Sequence, residues 1–139
     1  MPVILIDANI EGHGTRIWNR MQSSEWRTLT ADLDVSCKLF RDYGLDADAP
    51  DDVVWRFCQT TGCYLLTSNR NQESDNSLEA TIRREWTLAS LPVFTLPFPD
   101  RVKTSREFLD RVVEKLLEYV MDADNIRGTV RLWVPGLPE

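Results

Sequence analysis

Val3-Ile4-Leu5-Ile6 is an unbroken apolar run in which three of the four residues are β-branched. Such side chains favour extended backbone. Because nothing polar alternates with them, neither face of the strand is left for water. The run therefore predicts a strand covered on both sides, as at the centre of a helix-covered parallel sheet. Asp7-Ala8-Asn9 follows directly. In open α/β sheets the functional crevice lies beyond the carboxyl ends of the strands, so Asp7 stands where chemistry would be done. The same carboxylate also suits a turn or a helix N-cap. Its role depends on what the rest of the chain brings beside it.

The chain alternates strands and helices. Ile17, Trp18 and Met21 share one face of a helix over 14–22, and a short second helix over 25–29 follows Ser23-Ser24. Leu33, Val35, Cys37 and Leu39 alternate with polar residues, the pattern of a half-exposed strand. Pro50 opens a helix that places Val53, Val54, Phe57 and Cys58 together, and Gly62 ends it. Cys63-Tyr64-Leu65-Leu66-Thr67 reads as a third, buried strand. Next come a helix from Leu78 to about Ala89 burying Leu78, Ile82 and Trp86, and a fourth strand, Pro92 to Leu96. Thr104-Ser105-Arg106-Glu107 fits a capping box ahead of a wide apolar stripe from Phe108 to Met121, and Val130 to Val134 fits a closing strand. Strand and helix in alternation predict an α/β fold with right-handed crossovers and a mainly parallel sheet of four to five strands.

The 139 residues, 42% of them hydrophobic, suffice for one domain, 1–139, with one sizeable core. No apolar run approaches the roughly twenty residues that cross a bilayer, and the N-terminus lacks a secretory pattern. A cytoplasmic protein without a membrane partner is the expectation. Cys37, Cys58 and Cys63 form no C-x-x-C pair, and His13 is the single histidine, so no zinc set is expected. The three thiols read as buried and reduced, and His13, between Gly12 and Gly14, as an exposed turn residue.

A formal charge of −6 argues against tight non-specific nucleic-acid binding through a generally basic surface. Either a local patch, for which Arg83, Arg84, Arg101, Lys103, Arg106 and Arg111 are candidates, meets phosphate, or the acids themselves hold a metal. Acids and amides do gather near strand ends: Asp7 and Asn9, then Asp51 and Asp52, then Ser68, Asn69 and Asn71, with Glu73 and Asp75 beyond. Hard oxygen ligands of this kind suit Mg²⁺ or Mn²⁺. Each has a plainer reading as well. Asp51 and Asp52 complement a helix N-terminus, Asn69 and Asn71 suit turns, and arginines on helices commonly face solvent.

Ile4-Leu5-Ile6-Asp7-Ala8-Asn9, Asp42-Tyr43-Gly44-Leu45, Pro50-Asp51-Asp52-Val53-Val54 and Leu65-Leu66-Thr67-Ser68-Asn69-Arg70-Asn71, in this order, resemble the motifs of PIN-like domains. The likeness spans residues 3 to 71 and is nearest to a short bacterial PIN-like group. It implies a three-layer Rossmann-like PIN fold with helices on both faces of the sheet. It also implies a metal-dependent ribonuclease cleaving single-stranded RNA with Mg²⁺ or Mn²⁺, of the kind found as toxins in toxin-antitoxin pairs, so a cognate antitoxin or other protein partner is part of the expectation.

On this resemblance Asp7 matches the first acid and Asp51 the second, with Asp52 as an adjacent substitute in the metal set. Asn69 and Asn71 fall where the third motif usually carries acids. Asn9, Thr67, Ser68 and Arg70 are then substrate-positioning residues. Each Asp-to-Asn exchange replaces a charged ligand by a neutral one and weakens the site, unless Glu73, Asp75 or Asp42 substitutes. The alternative implied is an inactive PIN scaffold that binds RNA or a protein. A flavodoxin-like regulatory domain with Asp7 as phosphoacceptor ranks last, for want of paired acids at the first strand and a lysine after a later one. The stripe after Thr104 and Leu132-Trp133-Val134 suit a homodimer.

Overall fold

The computed structural model describes residues 1–69 and 77–136. Its sheet contains β1 (Val3–Ile6), β2 (Ser36–Leu39), β3 (Cys63–Thr67), β4 (Val93–Thr95) and β5 (Arg131–Trp133), in the order β2-β1-β3-β4-β5. Every neighbouring pair is parallel. The helices are α1 (Glu11–Met21), α2 (Arg27–Asp32), α3 (Asp51–Thr61), α4 (Leu78–Glu85), α5 (Arg101–Thr104), α6 (Arg106–Met121) and α7 (Ala123–Ile126).

The layers follow from strand geometry, because successive side chains of a strand point to opposite faces. Ile4 and Ile6 of β1 pack with Ile17 and Met21 of α1 and with the α6 stripe, including Val112, Val113, Leu116 and Leu117. Leu5 points the other way, onto Val54 and Cys58 of α3 and Leu78 and Ile82 of α4. Ile4 and Leu5 are both 0% exposed, and burying each such side chain is worth about 1.5–3 kcal/mol. The result is a three-layer, Rossmann-like α/β fold. Gly14 lets α1 close on β1, since a Cβ there would lie 2.3 Å from the Ile6 side chain.

The chain steps from β1 outward to β2 and then returns to the other side of β1 with β3. That reversal opens a crevice between the carboxyl ends of β1 and β3, the switch point of a doubly wound sheet. The register runs into it: Ile6 is level with Leu66, and the Asp7 amide donates to the Leu66 carbonyl at 2.9 Å. Asp7 is thereby fixed to the end of β3. On the next strand Thr67 is level with Thr95.

Several sequence expectations change in detail. The helix from Leu78 stops at Glu85, and Trp86 is 36% exposed with its indole N–H on the Gly128 carbonyl at 2.9 Å. Here the Thr87 amide donates to the Ser90 hydroxyl, a local bond that competes with helix continuation. Ser105, not Thr104, caps α6, its hydroxyl accepting from the Phe108 amide at 3.1 Å. Met121, at the end of the stripe, is 61% exposed. His13 belongs to α1 and its side chain is only 20% exposed, beside Asp100. The three cysteines are buried free thiols. Among the described residues no helix is long and apolar enough to cross a membrane. Most of the α6 stripe and Val134 are buried within the chain itself, so they are not surfaces left for a second copy.

Candidate functional site

Four of the residues singled out in the sequence meet at the β1/β3 crevice. The Thr67 hydroxyl, buried at the end of β3, donates to Asp7 Oδ2 at 2.6 Å. The same hydroxyl accepts from the Asn69 amide N–H at 2.9 Å. Asn69 then extends its side-chain N–H to Asp51 Oδ2 at 2.8 Å. A continuous chain of hydrogen bonds, Asp7–Thr67–Asn69–Asp51, therefore joins β1, β3 and the first residue of α3. The Leu78 amide opening α4 donates to the same Asp51 oxygen at 3.1 Å. Asp51 thus ties the starts of two helices to the rim, an anion placed at helix N-termini where the macrodipole favours it.

Burial raises the Asp7 carboxyl above its usual range, and the negative charge of Asp51 raises it further. The Thr67 and backbone hydrogen bonds pull the other way without cancelling the rise. Asp7 and Asp51 thus lie within electrostatic reach of one another, each accepting from neutral donors.

A second layer adjoins Asn69. Arg131 of β5 donates from Nη1 to the Asn69 carbonyl at 3.0 Å and to the Thr95 hydroxyl, and its Nη2 pairs with Glu79 of α4. Arg131 and Glu79 side chains are 10% and 19% exposed. The arginine thus braces the turn after β3 from the edge strand of the sheet.

The other expected residues are placed differently. Asn9 is exposed and approaches Asp7 only through its backbone N–H, at 3.4 Å from Oδ1. Ser68 is half-buried in the turn between Thr67 and Asn69. Asp52 turns away from the crevice: one oxygen accepts from the Val53 amide, and the other pairs with Arg56 at 3.3 Å. Asp42 holds the turn after β2, accepting from the Leu39 amide at 2.8 Å. Arg70, Asn71, Glu73 and Asp75 lie outside the described residues. Among the described residues no group of three or more acidic, histidine or cysteine side chains is placed to hold a metal.

Sequence reading missed Arg131, Glu79 and Thr95. A usable signal was present in β3 and β4, two apolar strands that both end in threonine, and in the lone arginine opening an otherwise apolar last strand. No family model, no curated protein and no solved structure matches this chain.

Proposed function

We propose that the chain is a PIN-like, metal-dependent ribonuclease of the cytoplasm that cleaves single-stranded RNA at the β1/β3 crevice, with a weakened acidic site. The observation that carries this reading is the convergence of Asp7 and Asp51, 44 positions apart in sequence, through Thr67 and Asn69 at the switch point of the sheet. Mg²⁺ commonly uses one or two protein carboxylates and completes its shell with waters and substrate phosphate oxygens. The Asp7–Asp51 pair fits that demand. Such an ion supplies, when bound, acidification of a water and neutralisation of the charge that develops on a phosphodiester.

The chain's own residues have separable tasks in this scheme. Asp7 and Asp51 provide the negative charge. Thr67 orients the Asp7 carboxylate by donating to one oxygen. Asn69 orients Asp51 and stands in for the third-motif acid, supplying a neutral group and so a weaker hold on the cation. Ser68 lies beside them to position substrate, with Arg70, Asn71 and Asn9 as further candidates. A cognate antitoxin, another protein or a second copy of the chain are partners in keeping with the toxin-like resemblance, and a homodimer would need a face other than the buried α6 stripe.

A second reading is favoured by one specific observation. Asp7 and Asp51 are already hydrogen-bonded by Thr67, Asn69 and the Leu78 amide, as in a retired site that binds RNA or a protein without cutting it. Incubation of a labelled single-stranded RNA with purified protein and Mn²⁺ separates the two. Cleavage that disappears with Asp7→Asn and with Asp51→Asn supports the nuclease; intact RNA at high protein and Mn²⁺ removes it and leaves the scaffold.

A further inference from the structure

A cavity of about 460 Å³ opens where β4 and β5 end, beside α5 and α6. Phe98, Arg101, Phe108 and Arg111 line it, between Pro97 and Pro135. The Arg101 guanidinium lies over the Phe98 ring, 4.5 Å from its centroid, and 5.9 Å from that of Phe108. Among the described residues no carboxylate lines the cavity and neither Arg101 nor Arg111 has an ion-pair partner. Arg20, Arg56 and Arg131, by contrast, have acids beside them. Two like charges in one concavity, with Glu114 and Glu118 only in the adjoining pocket beyond Arg111, focus a positive potential there. A guanidinium plane stacked on aromatic rings is also a surface on which an unpaired base stacks.

Position adds the second argument. The segments Pro97-Phe98 and Pro135-Gly136 follow β4 and β5, so the cavity lies on the same carboxyl rim as Asp7 and Thr67. Neighbouring strands are about 4.8 Å apart, which puts the β1/β3 crevice and the β4/β5 cavity roughly 10 Å apart along that rim. Of the basic residues that the sequence suggested as one patch, Arg83 and Arg84 belong to α4 in the opposite layer, whereas Arg101 and Arg111 share this cavity.

We propose that the Arg101/Arg111 cavity binds a phosphate of a single-stranded RNA, with a neighbouring base against the Arg101–Phe98 stack, and that the strand continues along the rim to the Asp7–Asp51 crevice. The identity of the strand rests on the functional reading above; the affinity of the cavity for a phosphate-bearing chain does not require cleavage.

The test is binding of a fluorescein-labelled single-stranded octauridylate to the full-length chain in EDTA, followed by polarisation at several salt concentrations. Arg101→Gln/Arg111→Gln should weaken binding by about tenfold or more and flatten the plot of log affinity against log salt by roughly 0.7, one lost phosphate contact on a single strand. Arg83→Gln, in the other layer, should leave both unchanged, and circular dichroism confirms that each variant is folded. Equal binding by wild type and the double variant, or no binding by wild type, would overturn the proposal. So would competition by inorganic phosphate or uridine monophosphate at the concentration of octamer needed, since the cavity would then be a site for small anions and not for a strand. RNA bound through these arginines but never cut in Mn²⁺ would keep this inference and end the nuclease reading. Cleavage unimpaired in the double variant, with an unchanged KM, would do the reverse.

Discussion

Two acidic clusters in this molecule have opposite electrostatic characters. On the helical layer Asp110 of α6 accepts from Arg20 of α1 at 2.6 and 3.2 Å and from the Trp26 indole at 3.0 Å, while Glu25 also reaches Arg20. The arginine holds the Asp110 carboxyl below its ordinary range. On the sheet rim Asp7 and Asp51 face one another through neutral hydroxyl, amide and backbone donors, and Asp7 is held above its range. The first arrangement is a clamp that fastens α1 and the following turn to α6. The second keeps a carboxyl in a buried place, with a second acid nearby, at an intramolecular cost. Among the described residues the rim acids are held by neutral donors, whereas Asp110 is held by an arginine.

Replacing Asp7 or Asp51 with Asn should lower Mn²⁺-dependent cleavage of single-stranded RNA by more than about a hundredfold. Asp52→Asn, one residue along α3 but turned to Arg56, should leave it within about twofold. A gel assay with labelled RNA reads both. Equal losses for Asp51 and Asp52 would mean that the orientation of α3 does not select the site.

Removing the brace behind Asn69 comes next in size. Arg131→Met should destabilise the fold by about 2 kcal/mol, less than the 3–5 kcal/mol of a fully buried pair because both partners reach some solvent. Urea denaturation measures it, and Glu79→Gln in the same background should restore part of the loss, since no unpaired carboxylate is then left behind.

The two clusters should also respond oppositely to pH. Asp110, with its folded pKa depressed, contributes stability above the ordinary carboxylate pKa, and that contribution is lost as pH falls through the folded value. Asp110→Asn should therefore lower Tm by about 3 °C or more near neutrality and by less in acid. Asp7, with its pKa raised, behaves in reverse. Stability associated with its protonated form is present below the unfolded pKa and disappears as pH rises through the folded one, so at neutrality the ionised group weighs against folding. Asp7→Asn should raise Tm by about 1–2 °C near pH 7, a gain that fades in acid. A fall in Tm at neutrality would show that Asp7 is a structural residue like Asp110.

How much of this was legible in the sequence depends on the range of the interaction concerned. The Cys63–Thr67 strand and the Gly62 stop are local signals, and both stand in the structure as read, with Gly62 at φ +78°. Asp7, Asp51, Thr67 and Asn69 stand at strand ends and a helix start within the PIN-like motifs, and the parallel register brings these four together, whereas Asp52 and Asn9 from the same motifs point elsewhere. The choice between Asp51 and Asp52 was not legible, because a helix turns adjacent residues about 100° apart and only the docking of α3 decides which one meets Asn69. Arg131 and Glu79 are 52 positions apart, and a contact of that separation leaves no periodicity to read. The end of α4 was missed because Thr87 and Ser90 form a side-chain turn, where the apolar spacing alone suggested that the helix ran on to Trp86.

If Asp7 and Asp51 act as a pair on one divalent cation, electron paramagnetic resonance of Mn²⁺ titrated into the purified chain reads it without requiring any substrate. One ion bound per chain, lost in Asp7→Asn and in Asp51→Asn but retained in Asp52→Asn, is the expected result. No stoichiometric binding, or binding that survives both substitutions, would contradict the account.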